Sequence, residues 1–255
     1  MMPFDSLAQS YERFRPRSPC ALFAEFARAC TGSGQAPRAV IDVGCGTGIS
    51  TRALREAFGP TSMILGIEPS AGMLAEAIAS SRGDHVRIHN AQAEELPVVD
   101  GAVDVVFAAQ AVQWFDRPVF FDEAGRVLRP GVGMVGICQN NRNWRESPLL
   151  ETYEQLLERY SPGYARDYRS IDVEGELRAL TWTSDVYVAK ERWEFDVTVE
   201  DFIGFAFSST KTQGAAATHG RERVREAVHD IALDHAVEGR VVIPYVCELY
   251  SARKR

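Results

Sequence analysis

The run Val40-Ile41-Asp42-Val43-Gly44-Cys45-Gly46-Thr47-Gly48, followed by Ile49-Ser50-Thr51-Arg52-Ala53-Leu54, limits the fold of this chain more than any other stretch. A β-branched strand at 39–43 gives way to glycine at alternate positions and then to a helical pattern. Gly44, Gly46 and Gly48 stand where a chain must turn sharply and let a ligand approach bare backbone. The helix that follows offers unpaired N–H groups and the positive end of its dipole. Strand, glycine turn and helix together make a nucleotide-binding corner. A phosphate loop would need Lys and Ser or Thr after its last glycine, but Ile49 follows Gly48. A dinucleotide corner needs G-x-G-x-x-G, and the G-x-G-x-G spacing here is one residue short.

The segment 42–48 resembles the first motif of the class I S-adenosylmethionine (SAM)-dependent methyltransferases. The resemblance implies that Asp42 and the turn of Gly44, Cys45, Gly46, Thr47 and Gly48 receive the amino-acid end of SAM, with S-adenosylhomocysteine as product. Tyr11-Glu12-Arg13-Phe14-Arg15-Pro16, ahead of an apolar-periodic helix at 19–30, looks like the family's N-terminal Tyr-x-x-x-Arg-Pro segment. That segment folds over the pocket, which puts Tyr11 and Arg15 near the methionine. By charge alone Arg15 can also pair a ligand carboxylate bidentately.

Further motifs follow in order. A strand at 63–67 ends in Glu68-Pro69-Ser70, and an acidic side chain there can accept both ribose hydroxyls. Pro69 adjoins it, and Met73 takes the family's place beside the adenine. A strand at 86–90 precedes Ala91-Gln92-Ala93-Glu94-Glu95-Leu96-Pro97, similar to the family's Gly-Asp-Ala-Glu-x-Leu-Pro segment. Gln92 replaces the usual Asp and keeps an acceptor, so Gln92, Ala93 and Glu94 are assigned to the adenine edge.

A strand at 103–108 leads into Ala109-Gln110-Ala111-Val112-Gln113-Trp114-Phe115-Asp116. Ligands of open parallel sheets bind beyond the carboxyl ends of the strands. Ala109 and Gln110 are therefore assigned to the cofactor, and Gln113 and Trp114 to the acceptor. The run resembles the Ala-x-His-Trp-Phe-Asp segment of a subgroup that includes trans-aconitate methyltransferases. Gln113 stands in place of the histidine, and an amide cannot serve as a base.

The fold implied is α/β: a Rossmann-like, doubly wound, seven-stranded sheet with an antiparallel last strand and a small helical cap insertion. Its expected parts are an N-terminal helical segment over the SAM pocket (1–37), a SAM-binding core (38–143), the cap (144–180) and the C-terminal part of the core (181–255). The later strands are expected at 134–138, 186–195 and 241–250. Helices are expected at 117–128, after Thr198 and over 221–237, with a loop at 208–218. The polar run 139–145 opens the cap, whose Trp144, Tyr153, Tyr160, Tyr164 and Tyr168 either pack it or line an acceptor pocket. Gln139, Arg142, Tyr164 and His219 complete the candidate acceptor contacts, Arg142 as a carboxylate ligand and His219 as a base.

A chain of 255 residues fits one large domain, or a core with a cap. Its net charge of -7 argues against a broad polyanion-binding face, so nucleic acid is disfavoured while a local basic patch stays open. The absence of a membrane-length apolar run or a basic-then-apolar leader gives the expectation of a cytoplasmic protein without a membrane partner. Five cysteines without a Cys-x-x-Cys fit reduced thiols. No metal is expected, because His85 and His89 fall on a strand where they make no ligand site.

Methyl transfer from a sulfonium is an in-line displacement that asks the protein to align the partners and exclude water. A carboxylate acceptor needs no base, whereas a phenol, amine or acidic carbon is helped by one. The expected function is thus methylation of a small-molecule acceptor, a carboxylate or a natural-product-like molecule, at O, N or C, with no catalytic residue identified. A SAM-binding scaffold without turnover, or an RNA or protein methyltransferase on the same core, are the alternatives. The oligomeric state is left open.

Overall fold

The computed structural model describes residues 4–33, 37–81 and 86–255. In chain order the elements begin with α1 (Ala8–Phe14), α2 (Cys20–Cys30), β1 (Ala39–Val43), α3 (Ile49–Phe58) and β2 (Met63–Ile67). They continue with α4 (Ala71–Ser80), β3 (Val86–His89), β4 (Val105–Ala109), α5 (Arg117–Val127) and β5 (Met134–Arg142). Next come α6 (Pro148–Tyr160), α7 (Val173–Ala179), β6 (Thr183–Thr198), α8 (Val199–Phe207), α9 (Thr210–His219), α10 (Arg221–Asp234) and β7 (Arg240–Lys254). His85 of the proposed histidine pair lies outside the described residues.

The strands form one seven-stranded sheet in the order β3-β2-β1-β4-β5-β7-β6. β1 pairs in parallel with β2 and β4, β2 with β3 and β4 with β5. β7 runs antiparallel between β5 and β6. This is the Rossmann-like sheet with an antiparallel last strand that the motifs imply. The winding reverses at β1 and β4, and open α/β sheets bind ligands at such a switch point. Asp42 faces Gly66 on one side and Phe107 on the other, so it lies at the centre of the sheet.

Apolar stripes on the helices close both faces. Leu22, Phe23, Phe26, Leu54 and Phe58 pack on Val40, Ile64, Val105 and Phe107. On the other face Phe120, Phe121, Ala124, Val127 and Leu177 pack on Ile41, Val106 and Val135. A third core sits above the sheet edge, where Tyr153, Phe202, Phe205, Val224 and Val228 join Val241 and Ile243. Burying each such side chain contributes about 1.5–3 kcal/mol. That core draws together α6 and the helices α8 to α10, which lie between β6 and β7.

Several boundaries differ from the sequence expectations. β5 continues to Arg142, past the expected end at 138, with Arg142 opposite Tyr245 of β7. Its last residues are polar because they face a cavity, while their backbone groups still pair with β7. β6 and β7 likewise extend beyond the expected 186–195 and 241–250. The stretch 208–218 is mostly helix α9 and not a loop. Ser209 caps α9 by accepting from the Lys211 N–H, and Ala215 is fully buried. Small residues let this helix pack closely, which polarity alone did not signal. Val103 makes only an isolated bridge to Leu128. The Thr198 cap is as expected, with its hydroxyl accepting from the Asp201 N–H. All five cysteines are free thiols.

Candidate active site

At the carboxyl end of β1 the chain turns back sharply. The Gly44 and Cys45 N–H groups both donate to the Ile67 carbonyl, at 2.8 and 3.0 Å. Gly44 has φ +68°, and a Cβ there would come within 2.6 Å of the Ala111 Cβ. Gly46 has φ +58° with open space where a side chain would project. The turn therefore presents bare backbone to the cavity in front of it.

Two buried carboxylates underlie this turn. Asp42 is fully buried, and its Oδ2 accepts from the Ser50 and Thr51 hydroxyls at 2.7 and 2.6 Å. Its Oδ1 has no partner among the described residues. Burial pushes its pKa up to about 6 against the two hydroxyl hydrogen bonds. Glu68 accepts from the Gly46 N–H at 2.9 Å and from the Ser70 N–H at 2.8 Å. Burial raises the Glu68 pKa, and those N–H groups oppose the rise. Glu68 thereby holds the glycine turn in place while keeping lone pairs free for a ligand.

The N-terminal segment is latched onto the same turn. Glu12 of α1 accepts from the Thr47 hydroxyl at 2.6 Å and pairs with Arg52 at 2.6 Å and Arg17 at 2.7 Å. Burial alone would raise the Glu12 pKa, but hydrogen bonds from Arg17, Thr47 and Arg52 outweigh it and hold it low. Ser70 donates to Asp5 at 2.7 Å, and Phe4 meets Trp114 edge-on at 5.4 Å.

One cavity of about 1610 Å³ opens between this turn and the cap. Of the residues assigned to the cofactor, Tyr11, Arg15, Gly44, Cys45, Gly46, Thr47, Glu68, Pro69, Met73, Gln92, Ala93, Glu94, Ala109 and Gln110 line it. Asp42 and Gly48 do not: Asp42 lies beneath the turn, and Gly48 starts α3. Of the acceptor candidates, Trp114, Arg142 and Tyr164 line the cavity. Gln113 and Gln139 stand behind the wall, where Gln113 donates to the Gln110 carbonyl at 2.7 Å. His219 is away from the cavity and packs on Tyr160 with ring centroids 4.5 Å apart. Among the cap aromatics Trp144, Tyr164 and Tyr168 line the cavity. Tyr153 is fully buried and bonded to the Thr212 hydroxyl at 2.9 Å, while Tyr160 packs against the cap core.

The cap wall is rich in arginine. Arg142 donates to Glu154 at 2.6 Å, and Tyr164 donates to the other Glu154 oxygen. Burial works against the Arg142 charge, but the Glu154 carboxylate raises its pKa well above the ordinary value. Its role as a free carboxylate ligand is thus already taken by this chain. Arg15 donates to the Ser208 carbonyl at 3.1 Å and lies over the Tyr11 and Phe205 rings. Arg169 donates to the Gln110 Oε1 and the Tyr168 hydroxyl, each at 2.7 Å. The sequence reading missed Glu12, Arg52 and Arg169. Glu12 sits inside the N-terminal motif and was within reach of that reading, but nothing local to Arg169 marks it.

The lining fits SAM on two counts: Gly46 leaves open the space a side chain would fill, and buried acceptors flank the turn. Residues 41–135 match the model of a methyltransferase domain family. A malonyl-[acyl-carrier protein] O-methyltransferase of Hahella chejuensis is 42% identical over 100 residues, which is 39% of this chain and 36% of that protein. The chain spans about half the length of the curated relatives it matches. A solved protein of Anaeromyxobacter dehalogenans, described as a candidate type II methyltransferase, aligns with TM-score 0.64 and 23% identity over 94% of this chain and 98% of that one. A phosphoethanolamine N-methyltransferase of Haemonchus contortus, solved with phosphomonomethylethanolamine and S-adenosylhomocysteine, aligns with TM-score 0.57 and 18% identity over 98% of this chain and 57% of that one. At these identities the two structures show a shared fold.

Proposed function

We infer, from the match of residues 41–135 to a methyltransferase domain model, a SAM-dependent enzyme that methylates a small-molecule acceptor held beneath its own cap. The observation that carries this reading is the cavity bounded by the glycine turn on one side and the arginine-rich cap on the other. When bound, SAM supplies a methyl group already activated on a sulfonium sulfur. The bare backbone of Gly44 to Thr47 would receive its amino-acid end, with Tyr11 and Arg15 closing over it. Glu68 would accept from the ribose hydroxyls, while Pro69, Met73, Gln92, Ala93 and Glu94 would surround the adenine. Ala109 and Gln110 would stand next to the sulfur. Trp114, Tyr164 and Arg142 face the space left for the acceptor.

The chain's own work in this scheme is alignment and dehydration. The Glu12 latch keeps α1 across the turn, so water is kept from the two reactants when both are bound. No histidine stands among the described residues that line the cavity, which favours an acceptor that reacts without an imidazole base. The finer likeness to trans-aconitate-type enzymes rests on Trp114, Phe115 and Asp116, which line the cavity beside Gln110. A cytosolic setting belongs to the same proposal and is supported by the free thiols.

The test combines calorimetry with S-adenosylhomocysteine and transfer of labelled methyl from SAM to a pool of small metabolites. Binding together with a labelled small product is expected. Binding without transfer to any acceptor would favour the scaffold reading, and failure to bind would end the proposal.

A further inference from the structure

The far edge of the sheet carries a pattern that the cavity does not use. β6 is the outermost strand, and one side of it pairs with β7 between Thr183 and Thr198. None of the described residues that line the cavity belongs to β6. The register shows where the backbone groups of its other side point. Arg240 exchanges both backbone hydrogen bonds with Val237, so its N–H and C=O turn away from Thr198, its partner on β6. The Pro244 carbonyl turns the same way, accepting from Asn143. Antiparallel pairs alternate between bonded and non-bonded, and the register runs without a shift from Tyr187 to Thr198. Val188, Lys190, Arg192, Glu194 and Asp196 therefore aim their N–H and C=O groups out of the sheet. Among the described residues these groups have no partner, except that the Asp196 carbonyl accepts from the Arg240 guanidinium at 3.2 Å.

Such an edge is a template for another strand, and proteins commonly blunt it with charge, lysine above all. A guard of one sign repels a second copy, but this edge carries both signs in order. Lys190, Arg192, Glu194 and Asp196 share one face because they stand two residues apart, and all four are exposed. Read along the strand they are positive, positive, negative, negative. A second copy running antiparallel about a two-fold axis at Trp193 sets Arg192 against Glu194 and Lys190 against Asp196, on both sides of the axis. The outward backbone groups meet in that same register, since 192 faces 194 and 190 faces 196. An axis at Arg192 or at Glu194 instead brings two like charges face to face, which is destabilising. Within the chain Lys190 pairs with Glu248, Arg192 with Glu146 and Asp196 with Arg240, yet the three strand residues stay at least half exposed. Pairs so open to solvent hold little and leave their charges free to be shared.

We propose that β6 is a homodimer interface, where two copies pair edge to edge, antiparallel about Trp193, and join their seven-stranded sheets. The contact is isologous, so it closes on itself and does not propagate. Backbone hydrogen bonds supply the affinity, and the order of charges selects the partner and the register. The interface lies outside the cavity, so it stands apart from the methyltransferase reading.

Sedimentation velocity on the full chain, from micromolar to near-millimolar concentration, tests the interface. The wild type is expected to show a monomer–dimer equilibrium that weakens about tenfold between about 50 and about 500 mM salt, because the paired charges lie near solvent. Arg192→Glu and Glu194→Arg each oppose like charges across the axis, and each alone should be monomeric over this range. An equimolar mixture of the two should dimerise, since each strand then meets its opposite. The double variant Arg192→Glu with Glu194→Arg should dimerise by itself for the same reason. A wild type that stays monomeric, a dimer that strengthens with salt, or one that persists in Arg192→Glu would overturn the proposal. So would a mixture that stays monomeric while both variants keep the wild-type circular dichroism spectrum. If either variant misfolds, Lys190→Glu mixed with Asp196→Lys puts the same question at the next pair outward.

Discussion

The wall of the cavity built from the glycine turn and the wall built from the cap handle charge in opposite ways. Under the turn, Asp42 and Glu68 are acceptors satisfied by their neighbours: hydroxyls of the next helix for one, backbone N–H groups for the other. On the cap side, Arg142 pairs with the buried carboxylate Glu154, while Arg15 and Arg169 are met by neutral acceptors, the Ser208 carbonyl for one and Gln110 and Tyr168 for the other. The first wall is held by its own neighbours apart from the buried Asp42 Oδ1, and its geometry is set by two adjacent strand-turn-helix units. The second is incomplete and draws on α1, β5 and the segment between α6 and α7. On the proposed function, the turn wall that would hold the cofactor is set locally and the cap wall that would hold the acceptor is set by long-range meetings.

The largest effect that tests this contrast lies within the cap. Glu154 is 2% exposed, so Arg142→Met leaves a buried carboxylate without its counter-ion. A loss of about 3–5 kcal/mol in stability is expected by urea denaturation. The double change Arg142→Met with Glu154→Leu should recover most of it, because replacing both members of a buried pair is often near neutral. A single-variant loss below about 1 kcal/mol would mean that the cap wall is not held by this pair.

On the opposite wall, Gly46→Val should weaken S-adenosylhomocysteine by about 1000-fold or more, read by calorimetry. Valine would fill the open space in front of the turn, at a φ of +58° that β-branched residues avoid. Circular dichroism should still report the sheet. Unchanged affinity would detach the cofactor from this turn. The comparison sharpens when the same titration on Arg169→Gln gives a nearly unchanged value, since one wall then fails alone.

How much of each wall the sequence revealed follows from the same geometry. The corner is local: β1 and β2 keep their expected bounds because the apolar runs end at glycine and at Glu68-Pro69. The sheet, and most of the residues that line the cavity on the side of the turn, were readable for that reason. Asp42 was legible as a motif residue, but its rotation under the turn depends on Ser50 and Thr51, which the motif reading did not weigh. The cap wall is non-local. Arg169 meets Gln110 across 59 residues of sequence, and Arg15 meets Ser208 across 193; no periodicity encodes such meetings. Helix α9 falls where the sequence predicts a loop, because small and polar residues are ambiguous until a partner helix packs on them.

Asp42 offers a pH test of the completed wall. A carboxyl whose folded pKa is raised contributes most stability while protonated. That contribution is full below the unfolded value of 3.8 and is lost as pH rises through about 6. The loss amounts to at most about 3 kcal/mol. Asp42→Asn keeps an acceptor for Ser50 and Thr51 but cannot ionise. The stability difference, variant minus wild type, should therefore grow between about pH 4 and 6 and then level off. A difference that stays flat across that window would mean the Asp42 charge is stabilised by something other than these hydroxyls.

The smallest expected effect concerns the seam where the two walls meet. Glu12 is 19% exposed and pairs with Arg52 and Arg17, so solvent screening limits its worth to about 0.5–1 kcal/mol. Its folded pKa is lowered, so the contribution is present above the unfolded value of 4.5 and fades as pH falls through the folded one. Glu12→Gln should cost that amount at neutral pH and little in acid. Because α1 also packs on α4 and α8, the helix should stay in place while its hold on the turn weakens. The expected signature is a several-fold faster release of S-adenosylhomocysteine by stopped flow, with an almost unchanged association rate. An unaltered release rate would show that the N-terminal segment covers the cofactor by packing alone, and that the latch seen between Glu12 and Thr47 serves only the fold.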